Sequence, residues 1–247
     1  AFYVASSGRP GPVLVDIPKD IQFQTGTYIG PDTIKHKSYR PKLKANIDNI
    51  DDALKLIAEA EKPIFYTGGG VINSGNAAVQ LLREFVRLTG FPITSTLQGL
   101  GAFPGDDTQF VGMLGMHGTY EANMAMNECD LMINIGARFD DRITGKIDEF
   151  SPNSKKIHID IDPSSINKVV DVDVALVGDV AHVLEDAIKL WKSKVYKVNK
   201  SQIKDWWKQI DKWKEVDSLR FNEDKKTIKP QYAIQRLYEL TKEKDVF

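Results

Sequence analysis

The chain has 247 residues, enough for one large domain or one domain with long flanks, and is 42% hydrophobic, 27% charged and 9% aromatic, ordinary values for a globular protein. A formal net charge of −1 gives no electrostatic reason to expect nucleic acid or an anionic membrane as a partner. The single cysteine, Cys129, leaves no intrachain disulfide and no cysteine-rich zinc site, and no apolar run reaches membrane-spanning length. Cys129 precedes Asp130 and an apolar run, so it reads as a small buried residue rather than a nucleophile. The chain opens AFYVASSGRP and closes KEKDVF, which leads us to expect a piece of a longer polypeptide.

Val13 to Ile17 is a short β-rich run closed by Pro18. Residues 20–46 lack a sustained period and contain Gly26, Gly30, Pro31 and Pro41, so they read as a long linker. Asp48 can cap a helix to about Ala60, with Ile50, Leu54, Ile57 and Ala58 on one face. Pro63 to Thr67 reads as a strand, followed at once by Gly68, Gly69 and Gly70. A helix is expected from Asn76 to Leu88 and a strand from Pro92 to Thr96. Residues 97–118 form a Gly-rich connection, then a helix spans Tyr120 to Asn127 and a strand Leu131 to Ile135. Lys156 to Ile161 and Val174 to Val177 are the last strands, and Asp179 can cap a closing helix through Trp191.

Strands alternating with helices predict an α/β fold, a parallel sheet with helices on both faces. The expected organisation is a linker-bearing segment at 1–45, the α/β domain at 46–191, a Lys/Trp-rich segment at 192–228 and a further helix at 229–247. In the Lys/Trp-rich segment Trp206, Ile210 and Trp213 recur at helical spacing, which favours an amphipathic helix packing on a neighbour over nucleic-acid stacking. Pro230 suits the first turn of the final helix.

The densest chemistry lies in LMINIGARFDDRITG, residues 131–145, where an apolar strand ends in Gly136 and releases Arg138, Asp140, Asp141 and Arg142. Open parallel sheets bind ligands at the carboxyl ends of their strands, and a guanidinium suits phosphate or carboxylate. The alternative is a solvated loop with surface ion pairs. The Gly68–Gly70 turn lets backbone approach a phosphate, but its third fingerprint position is Asn73, so it is not the dinucleotide motif. Met116 and Leu114 can cover a flat ring, and His117 offers a polar contact with no triad around it. Asp160 stands near a strand end, where an acid takes a ribose hydroxyl in dinucleotide folds. Neighbouring strand residues point to opposite faces, so joint metal ligation by His158, Asp160 and Asp162 is not expected. Gly178 and Asp179 repeat the pattern of glycine then helix cap. Together these strand ends describe one extended cofactor lying across the sheet edge.

SGRPGPVLVDIPKD at 7–20, TLQGLGAFP at 96–104, LGMHGT at 114–119, GARFDDRITGK at 136–146, IHIDIDPSSINK at 157–168 and IKPQYAIQRLYEL at 228–240 resemble the acetolactate synthase (acetohydroxyacid synthase) family of thiamine-diphosphate enzymes. The resemblance covers nearly the whole chain and is weakest at 192–227. It implies the end of a pyrimidine-binding domain at the N-terminus, a central FAD-binding domain, and the start of a pyrophosphate-binding domain at the C-terminus.

The resemblance further implies that the full enzyme condenses two 2-ketoacids, pyruvate or 2-ketobutyrate, with loss of carbon dioxide, in branched-chain amino-acid biosynthesis. Thiamine diphosphate, magnesium and FAD are the implied cofactors, with FAD doing no net redox work. Positions matching the FAD contacts are Arg9, Gly68, Gly69, Gly70, Thr96, Leu97, Gln98, Leu114, Gly115, Met116, His117, Gly136, Ala137, Arg138, Asp140, Arg142, Ile143, Asp160, Ile161, Gly178 and Asp179. Lys19, Met116, Asp141 and Arg142 match residues near the substrate channel, while Ser165 departs from an Asn of some relatives. A homodimer or tetramer with a small regulatory subunit, in the cytoplasm, is implied for the full enzyme. The family's catalytic glutamate and its Gly-Asp-Gly magnesium motif have no match here, so the chain alone is expected to be inactive; the resemblance implies dimer contacts largely in the two flanking domains, so it is also expected to be monomeric. Alternatives are a glyoxylate carboligase-like enzyme, a stand-alone nucleotide-binding module, or an NAD-dependent oxidoreductase, the last disfavoured by the missing third glycine.

Overall fold

The computed structural model describes residues 1–28, 30, 36, 38–223 and 226–242. Two short helices, α1 (Phe2–Ser6) and α2 (Lys19–Gln22), lie in an exposed N-terminal segment. The body then alternates: α3 (Ile47–Glu59), β1 (Pro63–Thr67), α4 (Gly69–Asn73), α5 (Asn76–Thr89), β2 (Ile93–Ser95), β3 (Phe110–Met113), α6 (Tyr120–Glu128), β4 (Leu131–Ile135), α7 (Asp141–Thr144), β5 (Lys155–Asp160), β6 (Val174–Val177) and α8 (Val180–Ser193). Helices α9 (Lys200–Lys214) and α10 (Pro230–Thr241) follow.

The strands form one six-stranded sheet in the order β3-β2-β1-β4-β5-β6, every neighbouring pair parallel. β1 and β4 are buried along their whole length, as strands covered on both faces must be. Alternation sorts their side chains: Phe65, Leu131, Ile133, Ile157, Ile159 and Leu176 face α3, α5 and α8. Ile64, Tyr66 and Met132 face α6 and α9 on the other side. Trp206, Ile210 and Trp213 supply the α9 contribution, and the Trp206 indole Nε1 donates to the Pro63 carbonyl at 3.0 Å. The amphipathic helix expected from the lysine-rich stretch is therefore a packed layer of the fold. α10 carries no buried residue, and its Ile234, Leu237, Tyr238 and Leu240 are exposed.

Several expectations need correction. Val13–Ile17 is extended but joins no strand among the described residues, and Val13, Leu14, Val15 and Ile17 are exposed. β-propensity alone cannot hold a strand without a hydrogen-bonding neighbour. Asn46, not Asp48, caps α3, its side chain accepting from the Asp48 N–H at 2.8 Å. The glycine turn continues into the short helix α4 before α5 begins. The 97–118 connection contains a 3-10 turn at Leu97–Gly99 and the edge strand β3. β3 escapes a periodicity reading because it is four residues long, includes Gly112 at φ +92°, and buries only Val111 fully. The expected linker at 20–46 and the closing apolar end at 243–247 lie partly or wholly outside the described residues.

Candidate functional site

In a doubly wound parallel sheet the crevice opens where adjacent strands send their connections to opposite faces, here between β1 and β4. A cleft of about 640 Å³ lies there, within the range of ligand pockets. It is lined from the exits of all six strands and from Gly8, Arg9 and Pro10 of the N-terminal segment.

The exit of β4 is built by a buried polar clamp. Asn134 donates from Nδ2 to the Ala137 carbonyl at 2.7 Å and accepts the Ala137 N–H at 3.0 Å. The same carbonyl lies 2.9 Å from His158 Nε2, which donates to it. This fixes residues 136–138 against the sheet. Phe139 follows at φ +55° while buried, its ring against Tyr66, Phe150 and His158. An L-residue in that backbone region costs on the order of 1 kcal/mol, so packing holds it there.

Asp140 then ends the loop and caps α7, its side chain accepting from the Arg142 N–H at 3.2 Å. That backbone bond foremost, with the charges of Arg138 and Arg142, holds the Asp140 carboxyl below the usual carboxylate range. Asp140 also accepts from the Arg138 guanidinium at 2.9 Å, an exposed pair that orients the arginine at the cleft. The two readings of this cluster meet here: the ion pair is solvated, and both partners line the cleft.

The glycine turn after β1 behaves differently from a free phosphate cradle. The Gly68 N–H donates to Ile135 and the Gly70 N–H to Gly136, both at 3.0 Å. Two of the three amides are thus used in joining the β1 and β4 exits. After β2, Thr96 caps the 3-10 turn through its side chain, with Leu97 and Gln98 on the cleft. After β3, Gly115 is pinned by Asn123, and the Met116 N–H donates to the Arg142 carbonyl at 3.1 Å. Asp160 and Ile161 come from β5. Asp179 caps α8 and accepts from Ser74 Oγ at 2.8 Å.

The cleft therefore gathers Arg9, Gly68–Gly70, Thr96–Gln98, Leu114, Met116, His117, Gly136–Arg138, Asp140, Arg142, Ile143, Asp160, Ile161 and Asp179. Gly115 and Gly178 fall behind its wall. A Cβ on Gly115 would meet Ile143 and the Arg142 carbonyl within 2.7 Å, and Gly178 backs onto Leu43 and Ala45. Of the channel residues, Met116 and Arg142 line the cleft; Lys19 and Asp141 are exposed and do not. Arg9 is paired with Asp162 across the opening at 3.2 Å.

Sequence reasoning did not single out Tyr66, Ile72, Ser74 or Met113, which also line the cleft. Tyr66 was hidden inside an apolar strand, and Met113 inside a connection. His158 and Asp160 are two apart and so share a face, approaching to 3.6 Å, contrary to the argument from opposite faces. Among the described residues, though, no group of three or more His, Cys, Asp or Glu is placed to hold a metal ion. Nor is any helix among them long and apolar enough to cross a membrane.

Comparison with known proteins agrees with this architecture. The family model described as "Thiamine pyrophosphate enzyme, central domain" matches residues 50–187. The acetolactate synthase large subunit of Buchnera aphidicola subsp. Schizaphis graminum is 47% identical over 244 residues, covering 98% of this chain and 42% of that protein. The acetolactate synthase isozyme 3 large subunit of Escherichia coli K12 is 43% identical with the same coverage, 98% and 42%. The acetolactate synthase of Mycobacterium leprae is 43% identical over 97% of this chain and 38% of its own length. The chain thus spans about two fifths of the length of these relatives. With its all-parallel six-stranded sheet and that match across most of its body, the chain belongs to the thiamine pyrophosphate enzymes, through their central domain.

Proposed function

We propose that this chain is the cofactor-binding core of an acetolactate synthase large subunit, and that its cleft takes FAD. One observation carries the reading: a single cleft collects the six strand exits at the residues where the sequence matches that family's flavin contacts. The lining suits a dinucleotide with a flat ring. Leu114, Met113, Met116 and Ile143 offer apolar cover, while Thr96, Gln98, Arg9 and Arg138 offer polar and cationic ends. Arg138, oriented by Asp140, is assigned to the phosphate or sugar region, where its planar fork matches an oxyanion. A bound flavin supplies a redox-capable ring; in this family its part is structural.

The activity of the complete protein follows from the same kinship. It condenses two 2-ketoacids, such as pyruvate and 2-ketobutyrate, with decarboxylation, using thiamine diphosphate and magnesium. It does so in the cytoplasm as a homo-oligomer with a small regulatory subunit. Chemistry on thiamine diphosphate needs that cofactor held between two domains with its metal and activating acid. The 247-residue sequence contains no Gly-Asp-Gly triplet, and we infer that this chain alone is inactive.

Titration of the purified chain with FAD, followed by flavin fluorescence, tests the cofactor assignment. Arg138→Ala should weaken binding by roughly tenfold to a hundredfold, the worth of a hydrogen bond to a charged group. Absence of flavin binding by the unaltered chain removes the assignment, and acetolactate formation by the chain alone removes the inference of inactivity.

A further inference from the structure

The loop that leaves β3 brings Leu114, Met116 and His117 to the cleft, yet the bonds that hold it come from behind. Asn123, on α6, reaches Gly115 with both ends of its amide. Its Oδ1 accepts the Gly115 N–H at 2.8 Å, and its Nδ2 donates to the Gly115 carbonyl at 3.0 Å. Such a pair of bonds to one residue reproduces what a neighbouring strand would supply. Nδ2 also donates to the Thr119 carbonyl at 3.1 Å, which ties the loop to the first turn of α6. Gly115 stands at φ +95°, where a residue without Cβ has wide backbone freedom, so the loop is fixed there only by something outside it. The Met116 N–H then links the loop to the Arg142 carbonyl.

Asn123 does not line the cleft. It is exposed on the far side, facing a second hollow of about 250 Å³ whose wall, Leu114 and Ile143, is shared with the cleft. Asparagine is a poor helix former, because its side chain competes with the helix backbone. The helix does not need it, since Thr119 already caps α6 by accepting the Ala122 N–H at 3.2 Å. The loop accounts for the amide instead. The β4 exit is gripped in the same way, by Asn134 on the N–H and carbonyl of Ala137. We propose that Asn123 is a positioning residue for the cofactor: its amide holds the 114–118 loop ready to receive the ligand without touching it. The consequence for flavin rests on the reading of the cleft given above, whereas the grip on Gly115 stands on its own.

Hydrogen exchange of the ligand-free 247-residue chain and its titration with FAD test this with three variants. Asn123→Ala should speed exchange in residues 113–118 by about fivefold to tenfold, with the strands unaffected. It should weaken FAD binding by about threefold to tenfold, because a partly open loop must be closed again by the ligand. Its melting temperature should shift by no more than a few degrees, as expected for an exposed side chain. Asn123→Asp keeps the shape and the acceptor but loses the donor to the Gly115 carbonyl, and it should also lose protection and affinity. Asn127→Ala, one turn further along α6 and on the same hollow, should change neither. Unchanged exchange in Asn123→Ala overturns the grip, and an Asp variant indistinguishable from the unaltered chain overturns its two-bond form. Faster exchange with undiminished FAD affinity overturns the positioning role. So does exchange that rises throughout the chain, or an equal effect of Asn127→Ala, since either shows a general loosening. If the unaltered chain takes up no FAD, the flavin reading fails and the role toward the cofactor with it, while the exchange data still decide the grip.

Discussion

Gly70 and Gly136 stand backbone to backbone: a Cβ built on either would lie 2.7 Å from the Cα of the other. The Gly70 N–H donates to the Gly136 carbonyl at 3.0 Å, so the exits of β1 and β4 are bonded where the strand order reverses. These glycines are needed for the contact of two loops, whatever else they meet. Gly136 is further held at φ +66°. Gly136→Ala should therefore destabilise the chain by about 2–4 kcal/mol, from strain plus overpacking. Gly90→Ala, at φ +74° with nothing within 4 Å of its Cβ, should cost only about 1 kcal/mol. Urea unfolding of both variants decides it; equal losses would show that the loop contact is not limiting.

Trp206 ties α9 to the sheet. It is 2% exposed, stands edge-on to Trp213 with ring centroids 5.6 Å apart, and bonds the Pro63 carbonyl. Trp206→Ala should cost about 3–5 kcal/mol, and Trp206→Phe less, since it keeps most of the apolar volume. Native-like unfolding midpoints in Trp206→Ala would mean that α9 is dispensable to the fold.

Asp51 joins α3 to the chain after α8. Lys194 foremost, then Tyr196, lowers its pKa from 3.8 to about 2. Lys194 Nζ lies 2.8 Å from Oδ1, and the Tyr196 hydroxyl donates to the same oxygen at 2.8 Å. A carboxyl whose folded pKa is depressed stabilises above its unfolded value and loses that contribution as pH falls through the folded one. Asp51→Asn should thus lower the melting temperature at neutral pH, and the gap to the unaltered chain should close as pH drops from about 4 to about 2. A gap that stays constant over that window would rule out the charge as its origin.

Cys129 is fully buried, its Sγ against the Met126 carbonyl and Ser151 Oγ. Burial pushes the thiol up to about 11, which suppresses the reactive thiolate at neutral pH. Iodoacetamide should leave the folded chain unlabelled and modify one site after unfolding in urea. Rapid labelling of the folded chain, read by mass spectrometry, would contradict this account.

What could be read without coordinates follows from short-range pattern. Runs such as Pro63–Thr67 and Leu131–Ile135 are nearly continuously apolar, as a strand buried on both faces requires. Asp179 was legible as a helix cap because a carboxylate before an amphipathic stretch satisfies free N–H groups locally. The mixed pattern of α9, Lys and Asp around Ile203, Trp206, Ile210 and Trp213, was legible because its buried positions recur every three or four residues.

Properties set by residues distant in sequence were decided elsewhere. β3 is a strand only because β2 offers it hydrogen bonds, Ile93 pairing with Phe110 and Ser95 with Met113. Val13–Ile17, with better β-forming residues, has no such neighbour among the described residues and stays exposed. The sequence by itself determined the alternation of strands and helices, the parallel class of the sheet and the glycine and arginine signals at its strand ends, since each depends on neighbours a few residues away. Only the tertiary structure decided that β1 lies beside β4, that two glycine amides are spent joining their exits, and that the Tyr66 hydroxyl is buried without a partner among the described residues. These depend on which distant backbones approach closely enough to bond, and packing alone settles that.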